Sequence, residues 1–306
     1  SAPEIRTGVL THPLGGIACT PAVNSAQGFI GNAAGFANIP KGHITPLLAS
    51  DGAVRNVPAV ICVDGQPYPA LALSALMVAT NAEAWTASIQ PGSGMFGSEQ
   101  LLQLDAYPGL EIPLDANGNM RVSFRSSPDS YRAFSAVDII NGVIDQDLLD
   151  NTWVLVGYTA FGLMDIVPTP YNAAAPGVEL QARILGSLLD NRVPYTPQSS
   201  SLLLSLLSVV FAAVLLLAAG TRDRFSGYGL AACALVLPLT AVLIHAQLLA
   251  SSNLWLGWLA PALYSLCGAV CLILYEYARV RMERGRVLSN LSSYLPSDVA
   301  QEIAYS

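Results

Sequence analysis

Three long uncharged apolar runs between residues 201 and 278 constrain this chain more than any other feature. The first, Ser201 to Gly220, carries no charge over 20 residues, which as a helix is enough to cross a hydrocarbon core of roughly 30 Å. The second runs from Ser226 to Ala250 and is interrupted only by Pro238 and His245. The third runs from Leu254 to Tyr275, with Trp255 and Trp258 at its start and Tyr275 and Tyr277 at its end, as an interfacial aromatic belt requires. The polar turns between the runs are very short. A helical hairpin buried in a soluble protein fits this pattern poorly. The chain divides into a head (1–197), a membrane block (198–278) and a short basic tail (279–306).

Arginines set the expected orientation. Arg222 and Arg224 lie between the first two runs, and Arg279, Arg281, Arg284 and Arg286 follow the third. The turn Ser251-Ser252-Asn253 carries no charge. Three spans alternate sides, so both arginine groups share one side, which the positive-inside rule makes cytoplasmic. Residues 1–197 are then expected outside the cytoplasm, at the inner (plasma) membrane. No signal peptide is recognisable at Ser1, so an exported head is expected to follow an upstream span.

Charge narrows the partners. Residues 1–200 hold 8 basic and 16 acidic side chains, a net of −8; the remainder holds 6 and 5, a net of +1; together they give −7. An acidic head is unsuited to nucleic acid or anionic lipid. The lipid bilayer and an unidentified extracytoplasmic ligand or protein are the expected partners. Cys233, Cys267 and Cys271 fall in the apolar runs, where a thiol packs as a small apolar group. Cys19 and Cys62 lie in the head; an oxidising compartment permits a bridge between them, and two cysteines alone do not establish it.

Residue patterning predicts an α/β head, a mixed sheet with flanking helices. Gly15–Cys19, Gly28–Ile30 and Val57–Val63 read as strands, with Asp64-Gly65-Gln66 as a turn. Pro69–Ala82 reads as a helix with proline in its first turn. Asn117-Gly118 marks a hairpin within Ile112–Phe124. Ser135–Ile144 reads as a helix, with Ser135 and Asp138 placed as a capping box. Trp153–Gly157 reads as a short buried strand, and Pro176–Leu189 as a helix with an apolar stripe of Val178, Ala182, Leu185 and Leu189. Pro194 and Pro197 stiffen the junction to the first span.

Five side chains are candidates for contact with a polar ligand. Asp51 and Arg55 bracket Gly52; the same residues also suit a turn closed by an Asx hydrogen bond and a local ion pair. Asp165 and Thr169 lie in the loop after the Trp153–Gly157 run, where α/β proteins place sites, and Glu179 lies in the first turn of the last helix of the head. His12 and His43 stand alone, and no paired Cys/His spacing, HExxH or GxSxG motif occurs, so no catalytic residue, metal site or cofactor is assigned. His245, within the second run, is an intramembrane ionisable group and thereby a functional candidate.

The head also resembles the CHASE family of extracellular sensor domains, specifically its second type. The resemblance rests on Asp51-Gly52-x-x-Arg55 with Pro58–Val63, on Tyr68–Leu73, on Val122–Arg125, and on Tyr131, Phe134, Ser135, Asp138 and Gly142. Its closest stretch is Val154–Gly157, Gly162-Leu163-x-Asp165, Thr169-Pro170 and Pro176–Ala182. It covers most of residues 28 to 192 and implies a sensor followed by three spans, with a further span and sensor segment ahead of them. It carries over no catalytic residues. Leu288–Ile303 is similar to the linker preceding class III adenylate cyclase domains, matching at Tyr294, Leu295, Pro296, Val299 and Glu302; any juxtamembrane amphipathic helix is the simpler reading. The cyclase resemblance implies a catalytic domain beyond Ser306 working as a homodimer. The expectation is therefore a transmembrane sensory receptor. The rival is an accessory subunit whose head docks onto a larger membrane complex.

Overall fold

The computed structural model describes residues 5–81, 85–127, 130–159, 165–220 and 226–291. It resolves into two compact units, Ser1–Gln198 and Ser199–Ser306.

The first unit mixes short strands and helices. Its strands are β1 (Arg6–Thr7), β2 (Asn24–Ala26), β3 (Phe29–Ile30), β4 (Leu47–Leu48), β5 (Val54–Pro58), β6 (Val60–Val63), β7 (Gln66–Pro69), β8 (Ala87–Pro91), β9 (Gln100–Leu104), β10 (Glu111–Leu114), β11 (Asn119–Arg121), β12 (Ile166–Val167) and β13 (Ala175–Pro176). Its helices are α1 (Leu71–Ala79), α2 (Ala136–Ile140) and α3 (Gly177–Leu189). The expected mixed α/β head is present, its strands distributed over several small sheets. Three of them have three strands, in the orders β10-β9-β8, β11-β5-β4 and β2-β6-β7.

The run Val57–Val63 explains the multiplicity. It divides at Pro58–Ala59 into β5, paired with β11 and β4, and β6, paired with β2 and β7. Proline donates no ladder bond, and Ala59 directs its amide to the Gly118 carbonyl (3.0 Å) and accepts from Ala70 (2.9 Å). The chain thus changes sheets without a loop. Asp64 and Gly65 close the β6–β7 hairpin at φ 51° and 76°, the left-handed pair that a two-residue type I′ turn needs.

Buried Val54, Val57, Leu73, Met77, Leu102, Ile112, Leu180, Ile184 and Leu188 form one core beneath these sheets and α1 and α3. Cys19 and Cys62 are bridged, 43 residues apart in sequence. The bridge ties the irregular N-terminal segment to β6, beside the three-residue β2–β6 ladder.

Other expectations need correction. Gly15–Cys19 forms only one bridge, Gly15 to Thr86, because its glycines and exposed residues offer no second partner. Pro69 ends β7, so the helix starts at Leu71 and stops at Ala79; Ala82 lies outside the described residues. The Asn117-Gly118 turn closes, yet its arms diverge: β10 pairs with β9 and β11 with β5. Helix α2 spans five residues; Ser135 precedes it without a side-chain cap, and Gly142 (φ 67°) follows.

Trp153–Gly157 forms no strand. Leu155 packs on the core, and a Cβ on Gly157 would fall 2.5 Å from Val178 Cβ, so these two alternate residues face inward. Val154 (57% exposed), Val156 (89%) and Tyr158 (69%) face out. The run is extended but lacks a neighbouring strand among the described residues, so its strand-forming side chains remain in solvent.

The second unit is three helices, α4 (Ser200–Gly220), α5 (Ser226–Ser252) and α6 (Leu259–Leu291). Each contains a segment long and apolar enough to cross a membrane, with mean hydropathy 2.9, 2.1 and 1.6 in chain order. A Cβ on Gly268 would lie 3.2 Å from Leu215, which marks a close approach of α4 and α6 through a small residue. The third run starts later than expected: Asn253 (φ 56°) ends α5, and Trp255 and Trp258 occupy a non-helical link. In that link Trp255 meets the His245 ring edge to face at 4.8 Å, which accounts for a histidine in an apolar run. Helix α6 continues through the arginines, where Arg279 pairs with Glu276 and Glu283, each at 3.3 Å. The Arg222–Arg224 loop and the segment holding Tyr294, Leu295, Pro296, Val299 and Glu302 lie outside the described residues.

Replacing Cys19 and Cys62 together by serine should lower the stability of the head by about 2–4 kcal/mol, the loop-closure entropy of a bridge of this span. Urea unfolding of the solubilised chain, read by tryptophan fluorescence, measures it; dithiothreitol should reproduce the loss in the parent chain.

Candidate functional site

Asp51 and Arg55 lie at the tip of the β4–β5 hairpin. Gly52 takes φ 78°, its amide returns to the Ala49 carbonyl (2.9 Å), and Ala49 donates to the Ala53 carbonyl (3.0 Å). Asp51 Oδ1 accepts from the Ala53 amide at 3.2 Å, and Oδ2 pairs with Arg55 Nη2. The Arg55 hydrogen bond, then the Ala53 amide, hold the Asp51 carboxyl below its ordinary range. Both side chains are about half exposed, so solvent screens the pair. The geometry is that of a self-contained Asx turn.

Asp165, Thr169 and Glu179 surround the start of α3. The Asp165 carbonyl accepts from the Gly177 amide (3.0 Å), and its carboxylate covers Gly177 so closely that a Cβ there would sit 2.2 Å from Oδ1. A carboxylate at the first residue of a helix is favoured by the helix dipole. Buried Thr169 closes a turn on itself: its amide and hydroxyl donate to the Asn172 carbonyl (2.8 and 3.0 Å), and its Oγ1 accepts from the Asn172 amide (3.1 Å). The Pro168 carbonyl accepts from Val54 (2.7 Å), joining this loop to β5 and hence to the Asp51–Arg55 strand. Each of the five candidates thus has its own local partners. The loop residues 160–164 lie outside the described residues.

The sequence reading overlooked Arg183, whose side chain is fully buried. Its Nε and Nη2 donate to Glu179 Oε1 (3.0 and 2.8 Å), and Nη1 donates to the Ser126 carbonyl (2.8 Å). Its guanidinium lies over Phe124 (5.3 Å), Tyr171 (5.5 Å) and Tyr131 (5.8 Å). Tyr171 donates to the Phe124 carbonyl at 2.7 Å, and burial raises the Tyr131 phenol. A guanidinium suits such a cage because it is planar, forked and weakly hydrated. The Glu179–Arg183 spacing of four was available as a signal. The stripe expected on Val178, Ala182, Leu185 and Leu189 points elsewhere: the buried face is Leu180, Ile184 and Leu188 with Leu185, and Leu189 is exposed. Arg183 belongs to that buried face.

His43 is a half-buried titratable group of the head whose ring nitrogens are enclosed. It bridges Ala70, accepting from the Leu71 amide and donating its own amide to the Pro69 carbonyl, both at 2.9 Å. Neither ring nitrogen has a hydrogen-bond partner among the described residues. Burial lowers its pKa to about 4.

A domain-family comparison gives the identity of the head. The family model described as the CHASE2 domain matches residues 9–221, more than half of the chain. The chain belongs to the CHASE2 family. No curated protein and no solved structure is found similar to it. A CHASE2 sensor domain continuing into three apolar helices is consistent with a transmembrane sensory receptor. The CHASE2 match reaches past the end of α4, so the first apolar helix falls within the family's own extent.

Two measurements test the interior of the CHASE2 head. Glu179→Ala strands the Arg183 charge and should cost about 3 kcal/mol, whereas Glu179→Leu with Arg183→Met should recover most of it, as seen by urea unfolding. His43 is a base with a folded-state pKa below its unfolded value, so it has no effect above pH 6.5. As pH falls toward 4 the unfolded chain takes up the proton first, and stability should drop by about 3 kcal/mol. His43→Leu should remove that part of the pH dependence in melting curves.

Proposed function

We propose that this CHASE2 protein is a bacterial inner-membrane receptor whose head lies outside the cytoplasm, binds a ligand, and relays its occupancy to a cytoplasmic nucleotide cyclase encoded beyond Ser306. The family match supports the sensor part of the reading, and the likeness of Leu288–Ile303 to a class III cyclase linker supports the output. The way the head meets its first span supports the relay. After α3, Arg192 donates to the Ser187 carbonyl (2.7 Å). Thr196 then accepts from Arg121 of β11 (3.0 Å), and Gln198 bonds Gly97 (2.9 Å) and Gly94 (2.7 Å). Two residues later α4 begins. A connector fastened at three points transmits a shift of β11 or the Gly92–Gly97 turn to the span instead of absorbing it.

The homodimer that a class III cyclase requires has a suitable contact in the head. Residues 151–159 carry no charge within a head of net −8, so two copies meet there without repulsion. Val154, Val156 and Tyr158 present an outward apolar face, and a bilayer holds two heads at one height with these identical faces free to pack about a two-fold axis. A receptor of this kind has Asp51, Arg55, Asp165, Thr169 and Glu179 as candidates for ligand contact or for transmission from it.

Membranes containing the product of the whole reading frame should convert ATP to cyclic AMP, and residues 1–306 alone should not. Val156→Asp should lower that activity severalfold together with the dimer fraction seen by cross-linking. A complete reading frame without an output domain would overturn the cyclase assignment.

A further inference from the structure

The head contains a cleft that none of the sequence motifs marks. It holds about 430 Å³ and opens between the β4–β5 hairpin, the turn Asp115–Asn119 and the segment Pro21–Asn24. That volume falls in the range of about 300–1,000 Å³ typical of small-molecule sites. Its polar lining is almost entirely carboxamide: Asn24, Asn56, Asn117 and Asn119, with Asp115.

Part of this lining is fixed in advance. Asp115 Oδ1 accepts from the backbone amides of Asn117 and Asn119, both at 2.9 Å, and Oδ2 accepts from Asn119 Nδ2 (2.9 Å). Asn119 Oδ1 in turn accepts from Asn24 Nδ2 (2.7 Å), which also reaches the Asn117 carbonyl (2.9 Å). Three side chains are therefore held without a ligand. The remainder is open. Asn56 occupies the central strand of its sheet, opposite Leu47 and Arg121, where asparagine is disfavoured. Its half-buried carboxamide makes no hydrogen bond among the described residues, nor does that of Asn117.

The chemistry of this lining selects a ligand class. No lysine, arginine or histidine lines the cleft, and Arg121, near Asp115, already donates to Thr196, so an anion finds little counter-charge in an already acidic head. The Asp115 carboxylate already accepts three hydrogen bonds and offers little to a cation. No aromatic ring is present to stack a flat heterocycle or face a quaternary ammonium. A carboxamide both donates and accepts, and adjacent hydroxyls do the same. Pro21, Leu47 and Leu48 supply an apolar wall for a C–H face. We propose that this cleft binds a neutral saccharide of one or two rings. The proposal takes the head to be a ligand sensor, as above, and adds the site and the ligand class.

The test uses the whole chain in nanodiscs free of glycoside detergent, with D-glucose, maltose and glucuronate as probes in saturation-transfer NMR and calorimetric titration. At least one neutral sugar should bind with a Kd of about 1 mM or tighter. Asn56→Leu and Asn117→Ala should each weaken it tenfold or more, and glucuronate should bind at least tenfold more weakly. Asn117 lies on an exposed turn, so its variant keeps the test valid should Asn56→Leu unfold; an unchanged melting temperature confirms this. No binding by either neutral sugar, binding indifferent to the Asn117 change, or equal binding of glucuronate would overturn the proposal. Cyclase activity does not enter the readout, so these failures leave the receptor reading standing.

Discussion

An uncharged helix of twenty residues satisfies its own backbone but not its side chains, and three of them in succession need lipid. This requirement organises the rest of the protein. It separates a disulfide-bridged, acidic CHASE2 head from an arginine-bearing helix end. In the proposed receptor, the covalent link between α3 and α4 is the route by which the head acts on the first span. In that proposal the stiffness of this short stretch matters more to signalling than the stability of any one sheet.

Within the head, stiffness comes from a few non-local ties among many short strands. Strands of two to five residues are weak individually. The Cys19–Cys62 bridge, the passage of one chain segment through two sheets at Pro58–Ala59, and the caged Arg183 compensate. Arg183 also has a directional role. It fastens α3 to Ser126, to the rings of Phe124 and Tyr131 more than fifty residues back, and to Tyr171, so the last helix of the head cannot shift without disturbing the loops that hold it. Burying a cation costs desolvation, and Glu179 with the rings offsets this only in one geometry. The cage therefore favours one position of α3.

The sequence was legible where one local rule dominates. Uncharged length marked α4, α5 and α6; Asp64-Gly65 marked its turn; proline followed by an acidic first turn marked α3. It was less legible where partners are distant. Val57–Val63 has the pattern of one strand because nothing local shows that its halves meet β11 and β2. Trp153–Gly157 has the composition of a buried strand, yet burial depends on a neighbour that composition does not specify. Asp51 and Arg55 are conspicuous as charges and prove to hold each other. Arg183, Asn56 and Asn24 are inconspicuous because their meaning lies in residues 50 to 95 positions away.

The most direct measurement concerns sidedness. Single cysteines at exposed Ser25 in the head and at Arg284 in the tail, in a chain whose apolar-run cysteines are serine, are treated with a membrane-impermeant maleimide in intact spheroplasts and again after lysis. The proposed topology predicts labelling of position 25 in intact cells and of position 284 only after lysis. Equal labelling of both before lysis, or protection of position 25 until lysis, would contradict it.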